Sequence, residues 1–113
     1  MSRRSDDLLL RDIYVAVQRI LAATASMDEA GFESNVIIQD AVIRNFEVIG
    51  EATKNLSVEL RSAHPEVDWQ GMNGFRNFLI HVYFGVDLSV LWTIIRNDIP
   101  VLELQLKKIA PEE

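Results

Sequence analysis

The sequence predicts an all-α protein, an antiparallel bundle of four to five helices. Apolar residues recur at spacings of three and four along most of the 113-residue chain, which is typical of amphipathic helices. No stretch alternates apolar and polar residues between turn signals, as a half-buried strand would. Because 49% of the residues are hydrophobic and no Gly/Ser or Pro tract interrupts them, residues 1–113 are predicted to form a single helical domain.

The first helix is predicted to run from Ser5 to about Thr24, with Ser5 or Asp6 as its cap. The stretch SMDEAGFES that follows contains a glycine and several small polar residues, and it is predicted to be a loop. The apolar stripe of the helix comprises Leu9, Ile13, Ala16, Val17, Ile20 and Thr24.

A second, long helix is predicted from about Ser34 to Ala63, ending at His64-Pro65. Its apolar stripe comprises Ile38, Val42, Phe46, Ile49, Thr53, Leu56 and Leu60. The same helix carries a charged stripe made of Asp40, Arg44, Glu47, Glu51 and Lys54. Such a stripe is most simply a solvated face with weak ion pairs three or four residues apart.

Two further helices are predicted. One starts after Asp68, contains the stretch GFRNFLIHVY and ends at FGVD, and Gly71 and Gly74 make its first turn uncertain. The other starts after Asp87, which can cap it. Pro100 lies within the stripe of the last helix. Because proline lacks an N–H and crowds the carbonyl four residues before it, we expect a kink at this point and not a chain break. That stripe comprises Leu88, Leu91, Trp92, Ile95, Ile99, Leu102 and Leu106.

Composition excludes several classes of function. The absence of cysteine excludes disulfides, zinc ribbons and thiol nucleophiles. No His/Asp/Glu set has metal-ligand spacing, so no metal or other cofactor is predicted. Charged residues interrupt the apolar N-terminal stretch, which predicts a cytoplasmic protein without a signal peptide or membrane span. A net charge of −6 opposes broad attraction to nucleic acid, so RNA would need a local site.

The stretch GFRNFLIHVYFGVD, residues 74–87, carries the strongest candidate site. On a helical wheel of roughly 100° per residue, its core face contains Phe75, Phe78, Leu79 and Val82. Arg76, Asn77, His81 and Tyr83 share the opposite side, with Ile80 among them. An isoleucine within a polar face suits a contact with a second copy of the chain, which would bring two Arg/His sets together across a twofold axis.

This set of side chains can support metal-free RNA cleavage. Histidine moves protons near neutral pH, and arginine holds a phosphate and stabilises charge that develops on it. Attack of a ribose 2′-hydroxyl on the adjacent phosphate needs these two kinds of group. Periodicity alone favours a structural role, in which Arg76 pairs with a carboxylate and His81 rests on a helix surface.

The spacing of Arg76, His81 and Tyr83 resembles the Arg-x4-His-x-Tyr motif of the HepT branch of the HEPN superfamily, small helical proteins formerly grouped as DUF86. The stretches QDAVIRNFEVIGEATKNLS, HPEVDWQGMNGFRNFLIHVYFGVDLSVLW and NDIPVLELQL also resemble blocks of that family in order and spacing. With the first helix, the resemblance covers nearly the whole chain and implies a HEPN-like bundle.

The resemblance implies the toxin of a toxin–antitoxin module, a homodimeric, metal-independent endoribonuclease. It implies that Arg76 and His81 are catalytic and that Asn77 supports them. It also implies a cognate MNT-type nucleotidyltransferase as antitoxin, which neutralises the toxin by transferring AMP from ATP to Tyr83. Added charge and bulk at that position would exclude RNA from the cleft.

Two residues of the long helix and two rival functions complete the predictions. Because their segment matches a family block, Arg44 and Glu51 are candidates to border the cleft and orient Arg76.

One alternative to the ribonuclease function is a non-catalytic helical partner that binds a nucleotidyltransferase through the same face. The other, a small-molecule binder in a cleft between subunits, has only the polar pocket in its support.

Overall fold

The protein is an all-α antiparallel bundle with a HEPN-like arrangement, as predicted. The computed structural model describes residues 4–75, 78–79 and 87–109. Within these ranges every regular element is helical. The elements are α1 (Asp6–Thr24), α2 (Glu29–Glu33), α3 (Val36–Asn55), α4 (Val58–Ala63), α5 (Trp69–Asn73), α6 (Leu88–Thr93), a π-helical segment (Ile94–Asp98) and α7 (Ile99–Ile109).

Helices α1 and α3 form the centre of the bundle and pack along their length. The predicted stripe of α1 is buried at every position, and Ser5 is the N-cap, accepting a hydrogen bond from the amide of Leu8. Helix α7 packs on α1, where Gln18 donates a hydrogen bond to the carboxylate of Glu103. The buried apolar side chains form one cluster, to which α1, α3, α6 and α7 contribute most of the large residues.

The long helix predicted over residues 34–63 is in fact two helices. Helix α3 ends at Asn55, Leu56 takes an extended conformation, and Ser57 caps α4 by accepting a hydrogen bond from the amide of Leu60. Asp6 at the start of α1 fixes this break, because its carboxylate accepts hydrogen bonds from the amide of Ser57 at 3.0 Å and from its hydroxyl at 2.6 Å. The apolar stripe remains buried across the break, since Leu56 is only 2% exposed.

The stretch predicted as a loop between the first two long helices contains the short helix α2. Asp28 caps it by accepting a hydrogen bond from the amide of Gly31 at 2.8 Å. Phe32 on α2 is fully buried, and its ring lies 5.3 Å from that of Trp92 on α6. Burial of this aromatic side chain therefore stabilises the packing of α2 against the bundle.

The region around Pro100 stays helical, and the expected disturbance appears one turn earlier. Pro100 has no N–H to donate to the carbonyl of Arg96. The helix widens before it, and the amide of Ile99 donates to the carbonyl of Ile94, five residues back. Elements α6, the π-helical segment and α7 thus follow one another without a loop, which confirms that the proline does not break the chain.

Candidate functional site

The predicted catalytic residues Arg76 and His81, with Asn77 and the predicted AMP acceptor Tyr83, lie outside the described residues. The structure describes residues on both sides of this set and two residues within it. Gly74 and Phe75 precede the set, Phe78 and Leu79 fall within it, and Asp87 follows it.

Helix α5 precedes this segment and begins after Asp68, as predicted, but it ends at Asn73 and does not run on into the motif, because Gly74 caps it. The Asp68 carboxylate accepts a hydrogen bond from the amide of Gly71 at 3.0 Å. The indole N–H of Trp69 donates to the carbonyl of His64 at 2.8 Å, which ties the start of α5 to the end of α4. Gly74 then closes α5, its amide shared between the carbonyls of the preceding turn. The orientation of the chain at Gly74 is thereby set by hydrogen bonds at both ends of α5.

The core face predicted for the motif helix is confirmed at its three described positions. Phe75 packs edge-on against Phe46 of α3, with ring centroids 4.8 Å apart and an interplanar angle of 85°. Leu79 is 4% exposed and belongs to the core, and Phe78 is half-buried against it. The amide of Phe78 donates to the carbonyl of Gly74 at 3.3 Å, the spacing of an α-helical turn. Val82, the fourth residue predicted for this face, lies outside the described residues.

Arg44 and Glu51, the predicted supporting residues, lie on α3 two turns apart and are exposed. All five members of the predicted charged stripe on α3 are exposed, which fits a solvated face. Within it, the side-chain amide of Asn55 donates to the carbonyl of Glu51 at 3.0 Å and lies 3.4 Å from its carboxylate. Because α3 also holds Phe46, it is the helix on which the start of the motif packs.

The two tryptophans are core residues. Trp69 is 7% exposed and Trp92 8% exposed. Trp92 has aromatic and basic neighbours that periodicity did not reveal, since Phe32 lies beside it and the guanidinium of Arg96 lies 5.1 Å from its ring centroid. With so little of its surface exposed, Trp92 serves packing and a cation–π contact rather than a platform for bases.

Two negative observations concern the described part of the chain. Among residues 4–75, 78–79 and 87–109, no group of three or more His, Asp or Glu side chains is placed to hold a metal ion. No helix within those residues combines the length and the apolar character needed to cross a membrane.

Comparison with known proteins assigns the chain to a family. A model of the family described as "Ribonuclease HepT-like" matches residues 13–109. A protein of Methanocaldococcus jannaschii provisionally named RNase MJ1380 is 37% identical over 107 residues, covering 95% of this chain and 98% of that protein. The protein named "Probable ribonuclease HepT" of Thermococcus cleftensis is 40% identical over 107 residues, covering 95% and 97% of the two chains.

A further relative from Methanocaldococcus jannaschii is named as a gamma-glutamylcyclotransferase and, provisionally, an RNase. It is 37% identical over 110 residues, and the chain spans 50% of its length. No solved structure matches the chain significantly. The family match covers most of the chain, and the first two relatives align over nearly their whole length. The chain therefore belongs to the HepT-like ribonuclease family.

Proposed function

We propose that this protein is the toxin of a toxin–antitoxin module and cleaves RNA without a metal ion. The observation that carries the proposal is the coincidence of family membership with the Arg-x4-His-x-Tyr spacing at Arg76, His81 and Tyr83. The packing of Phe75 and Leu79 supports it, because these residues commit one side of the motif helix to the core. By helical periodicity, the polar residues of the motif are then left to the other side.

The proposed reaction is internal transesterification. The 2′-oxygen of a ribose attacks the adjacent phosphorus, the bond from phosphorus to the 5′-oxygen breaks, and the products carry a cyclic phosphate and a 5′-hydroxyl. His81 accepts the proton of the 2′-hydroxyl, and a proton is returned to the leaving 5′-oxygen. Arg76 holds the phosphate and stabilises the charge that builds on its oxygens. Asn77, four residues before His81, is proposed to hydrogen-bond the imidazole and fix its tautomer.

We propose further that the site is completed in a homodimer. Ile80, flanked by the polar motif residues, is proposed to lie in the contact between two copies, so that two Arg/His sets face one cleft. Arg44 and Glu51 are proposed as positioning residues at the edge of that cleft, which their place on the helix under Phe75 allows. Arg44→Ala is then expected to lower RNA cleavage by roughly tenfold, whereas Lys54→Ala, at the far end of the same stripe, leaves it unchanged.

The proposed control of this toxin is covalent. A cognate MNT-type nucleotidyltransferase transfers AMP from ATP to the hydroxyl of Tyr83, with release of pyrophosphate. The phosphodiester that results adds a negative charge and a nucleotide beside the cleft, and both oppose RNA binding.

The activity is tested with purified protein expressed without any nucleotidyltransferase. In the presence of EDTA, it is expected to cleave single-stranded RNA and to leave intact the same oligonucleotide made with 2′-deoxyribose. Cleavage of both oligonucleotides would contradict the proposed chemistry. No cleavage of either, together with harmless expression of the chain alone in cells, would favour the rival function, a helical partner that binds a nucleotidyltransferase without catalysis.

A further inference from the structure

A groove with apolar walls and an acidic rim lies between α5 and α7, with the π-helical segment along one side. Its volume is about 360 Å³. The side-chain amide of Gln105 on α7 donates to the carbonyl of Glu66 at 3.0 Å, which ties the chain ahead of α5 to α7 beside the groove. This hydrogen bond holds the two sides of the groove together.

Apolar side chains form most of the wall. Met72 and Phe75 lie on one side, and Ile94 and Val101 lie on the other. Val101 is 53% exposed, and Leu104, three residues further along α7, is 60% exposed. The groove and these two side chains therefore make an apolar surface of the kind that a protein partner covers.

The rim of the groove carries carboxylates, and its described lining includes no lysine or arginine. The Asp68 carboxylate caps α5 by accepting a hydrogen bond from the neutral amide of Gly71. Glu66 lies 3.7 Å from Nδ1 of His64, a contact between opposite charges only when the imidazole is protonated. Asp98 is exposed at the end of the π-helical segment. A partner with lysine or arginine beside its apolar side chains fits this rim, whereas a second copy of this acidic chain, with its net charge of −6, fits it poorly.

We propose that this groove docks the nucleotidyltransferase that adenylylates Tyr83, an inference that rests on the proposed function. The groove adjoins the candidate catalytic segment, because Phe75 lines it and directly precedes Arg76 in the sequence. Tyr83 follows Phe75 by eight residues, which span at most roughly 28 Å at about 3.5 Å per extended residue. An enzyme bound in the groove is therefore within reach of the tyrosine that it modifies.

The charge of the rim suits this partner better than it suits RNA. An enzyme that holds ATP needs lysine or arginine around the triphosphate, because these side chains bind phosphate oxygens. The face that it turns towards Tyr83 is thus expected to be positive, opposite in charge to Asp68 and Asp98. We expect an apolar side chain of the enzyme to enter the groove, with basic side chains facing the rim. The same carboxylates repel the phosphates of RNA.

The test measures binding of the nucleotidyltransferase to unmodified protein by isothermal titration calorimetry without ATP, so that no AMP is transferred. Asp98→Lys is expected to raise Kd roughly tenfold at low salt, because it sets a positive charge against a positive face. Val101→Asp is expected to raise Kd by about tenfold or more, because docking would then bury a carboxylate against apolar side chains.

Val58 and Glu59 on α4 provide matched controls, since both are exposed and neither lines the groove. Val58→Asp and Glu59→Lys make the same changes in polarity and charge, and each is expected to change Kd less than twofold. Thermal unfolding of every variant reports whether the bundle is intact. RNA cleavage by the unmodified variants is expected to match wild type, because neither Asp98 nor Val101 belongs to the proposed catalytic site.

Initial rates of AMP transfer to Tyr83 separate docking from chemistry. Loss of a docking contact is expected to raise the KM for this chain in parallel with Kd and to leave kcat nearly unchanged. A fall in kcat at unchanged KM would contradict a docking role for the groove.

Three binding outcomes overturn the docking proposal. The first is a nucleotidyltransferase that does not bind wild-type protein, or that binds the Asp98→Lys and Val101→Asp variants as tightly as wild type. The second is an equal loss of binding in the two α4 controls, which would reduce the effect to net charge or to unfolding. The third is a smaller assembly of the Val101→Asp variant in light scattering with unchanged enzyme binding, which would assign the groove to a second copy.

The docking proposal and the proposed function fail in different measurements. RNA cleavage is measured without the nucleotidyltransferase, so none of the three outcomes changes its result. Groove-dependent binding without AMP on Tyr83 would contradict the proposed covalent control and leave the docking surface in place.

Discussion

At the scale of single residues, Asp6 shows how one side chain sets a helix boundary far along the chain. Its carboxylate bonds both the amide and the hydroxyl of Ser57, 51 residues later. The periodic pattern could not predict this break, because Leu56 and Leu60 continue the apolar stripe in register across it. A contact between α1 and Ser57 sets the break between α3 and α4, and a pattern of neighbouring residues cannot reveal such a distant contact.

We expect Asp6→Ala to lower the free energy of unfolding by about 2 kcal/mol, since hydrogen bonds to a charged group contribute roughly 1.5–3 kcal/mol. Asp7→Ala is the matched control, because Asp7 is also in the first turn of α1 and is exposed. Removing the Asp7 carboxylate is expected to lower the free energy of unfolding by at most about 1 kcal/mol, because the helix dipole favours a negative charge near the N-terminus. Urea unfolding followed by circular dichroism measures both, and equal effects would contradict the assigned role of Asp6.

Residue types and their spacing predict the candidate site, which stays a prediction at Arg76, His81 and Tyr83, whereas the sequence does not predict the groove that the structure shows between α5 and α7. The spacing of Arg76, His81 and Tyr83 is visible in the sequence, as is the core face that Phe75 and Leu79 confirm. The groove depends on Met72 and Phe75 lying across from Val101. That placement follows from the way α5 and α7 pack in the bundle, which the sequence pattern does not specify.

At the scale of elements, Gly71 within α5 and Gly74 at its end differ in the space that each leaves for a side chain. A Cβ at Gly71 would collide with the Asp68 carboxylate that caps the helix, whereas a Cβ at Gly74 would meet only backbone carbonyls at 3.5 Å, an ordinary contact distance. In the sequence, both glycines make the first turn of this helix uncertain, because glycine is a poor helix former. The structure shows that only Gly71 is required by its neighbour.

Gly71→Ala is expected to lower the free energy of unfolding by about 1 kcal/mol, the typical cost of losing an N-cap. Gly74→Ala is expected to be neutral or to raise it by up to about 1 kcal/mol, because alanine restricts the unfolded chain more than glycine does. Chemical denaturation of the pair measures the difference, and a larger loss from Gly74→Ala would show that the cap geometry has been misassigned.

The long helices could be predicted because buried residues recur at helical spacing along one face. The short helices could not be predicted in this way. Every predicted stripe residue of α1 is buried, and so are those of the last helix apart from half-buried Leu88. Helix α2 is only five residues long, and its stability depends on Phe32 meeting Trp92 from a distant part of the chain. Pro100 predicts a disturbance of the last helix, but the sequence does not specify its form, which is a π-helical segment at Ile94–Asp98.

At the scale of the whole molecule, the bundle measures 40 × 25 × 25 Å, with a radius of gyration of 14.0 Å. If Arg76 and His81 bind RNA as proposed, AMP on Tyr83 is expected to compete with the RNA strand for the same surface, because the three residues lie within eight positions of the sequence. The proposed control by adenylylation is therefore expected to need no conformational change, because the added charge and bulk would themselves oppose RNA binding.

Co-expression with the cognate nucleotidyltransferase is expected to raise the intact mass of the protein by one AMP unit or a multiple of it. Tyr83→Phe is expected to abolish the increase, while Tyr14→Phe, at the chain's other tyrosine, leaves it in place. The modified protein is expected to lose RNA cleavage. Modification at another residue, or full cleavage by the modified protein, would contradict the proposed control.

The central claim, that Arg76 and His81 perform metal-free RNA cleavage, is tested most directly by comparing wild-type protein with Arg76→Ala and His81→Ala in one cleavage assay with EDTA. Size-exclusion chromatography with light scattering checks that each variant keeps the wild-type assembly. The account predicts a loss of about 10²- to 10⁴-fold in the rate for His81→Ala and about 10²- to 10³-fold for Arg76→Ala. Rates within a few-fold of wild type in a variant with intact assembly would contradict it.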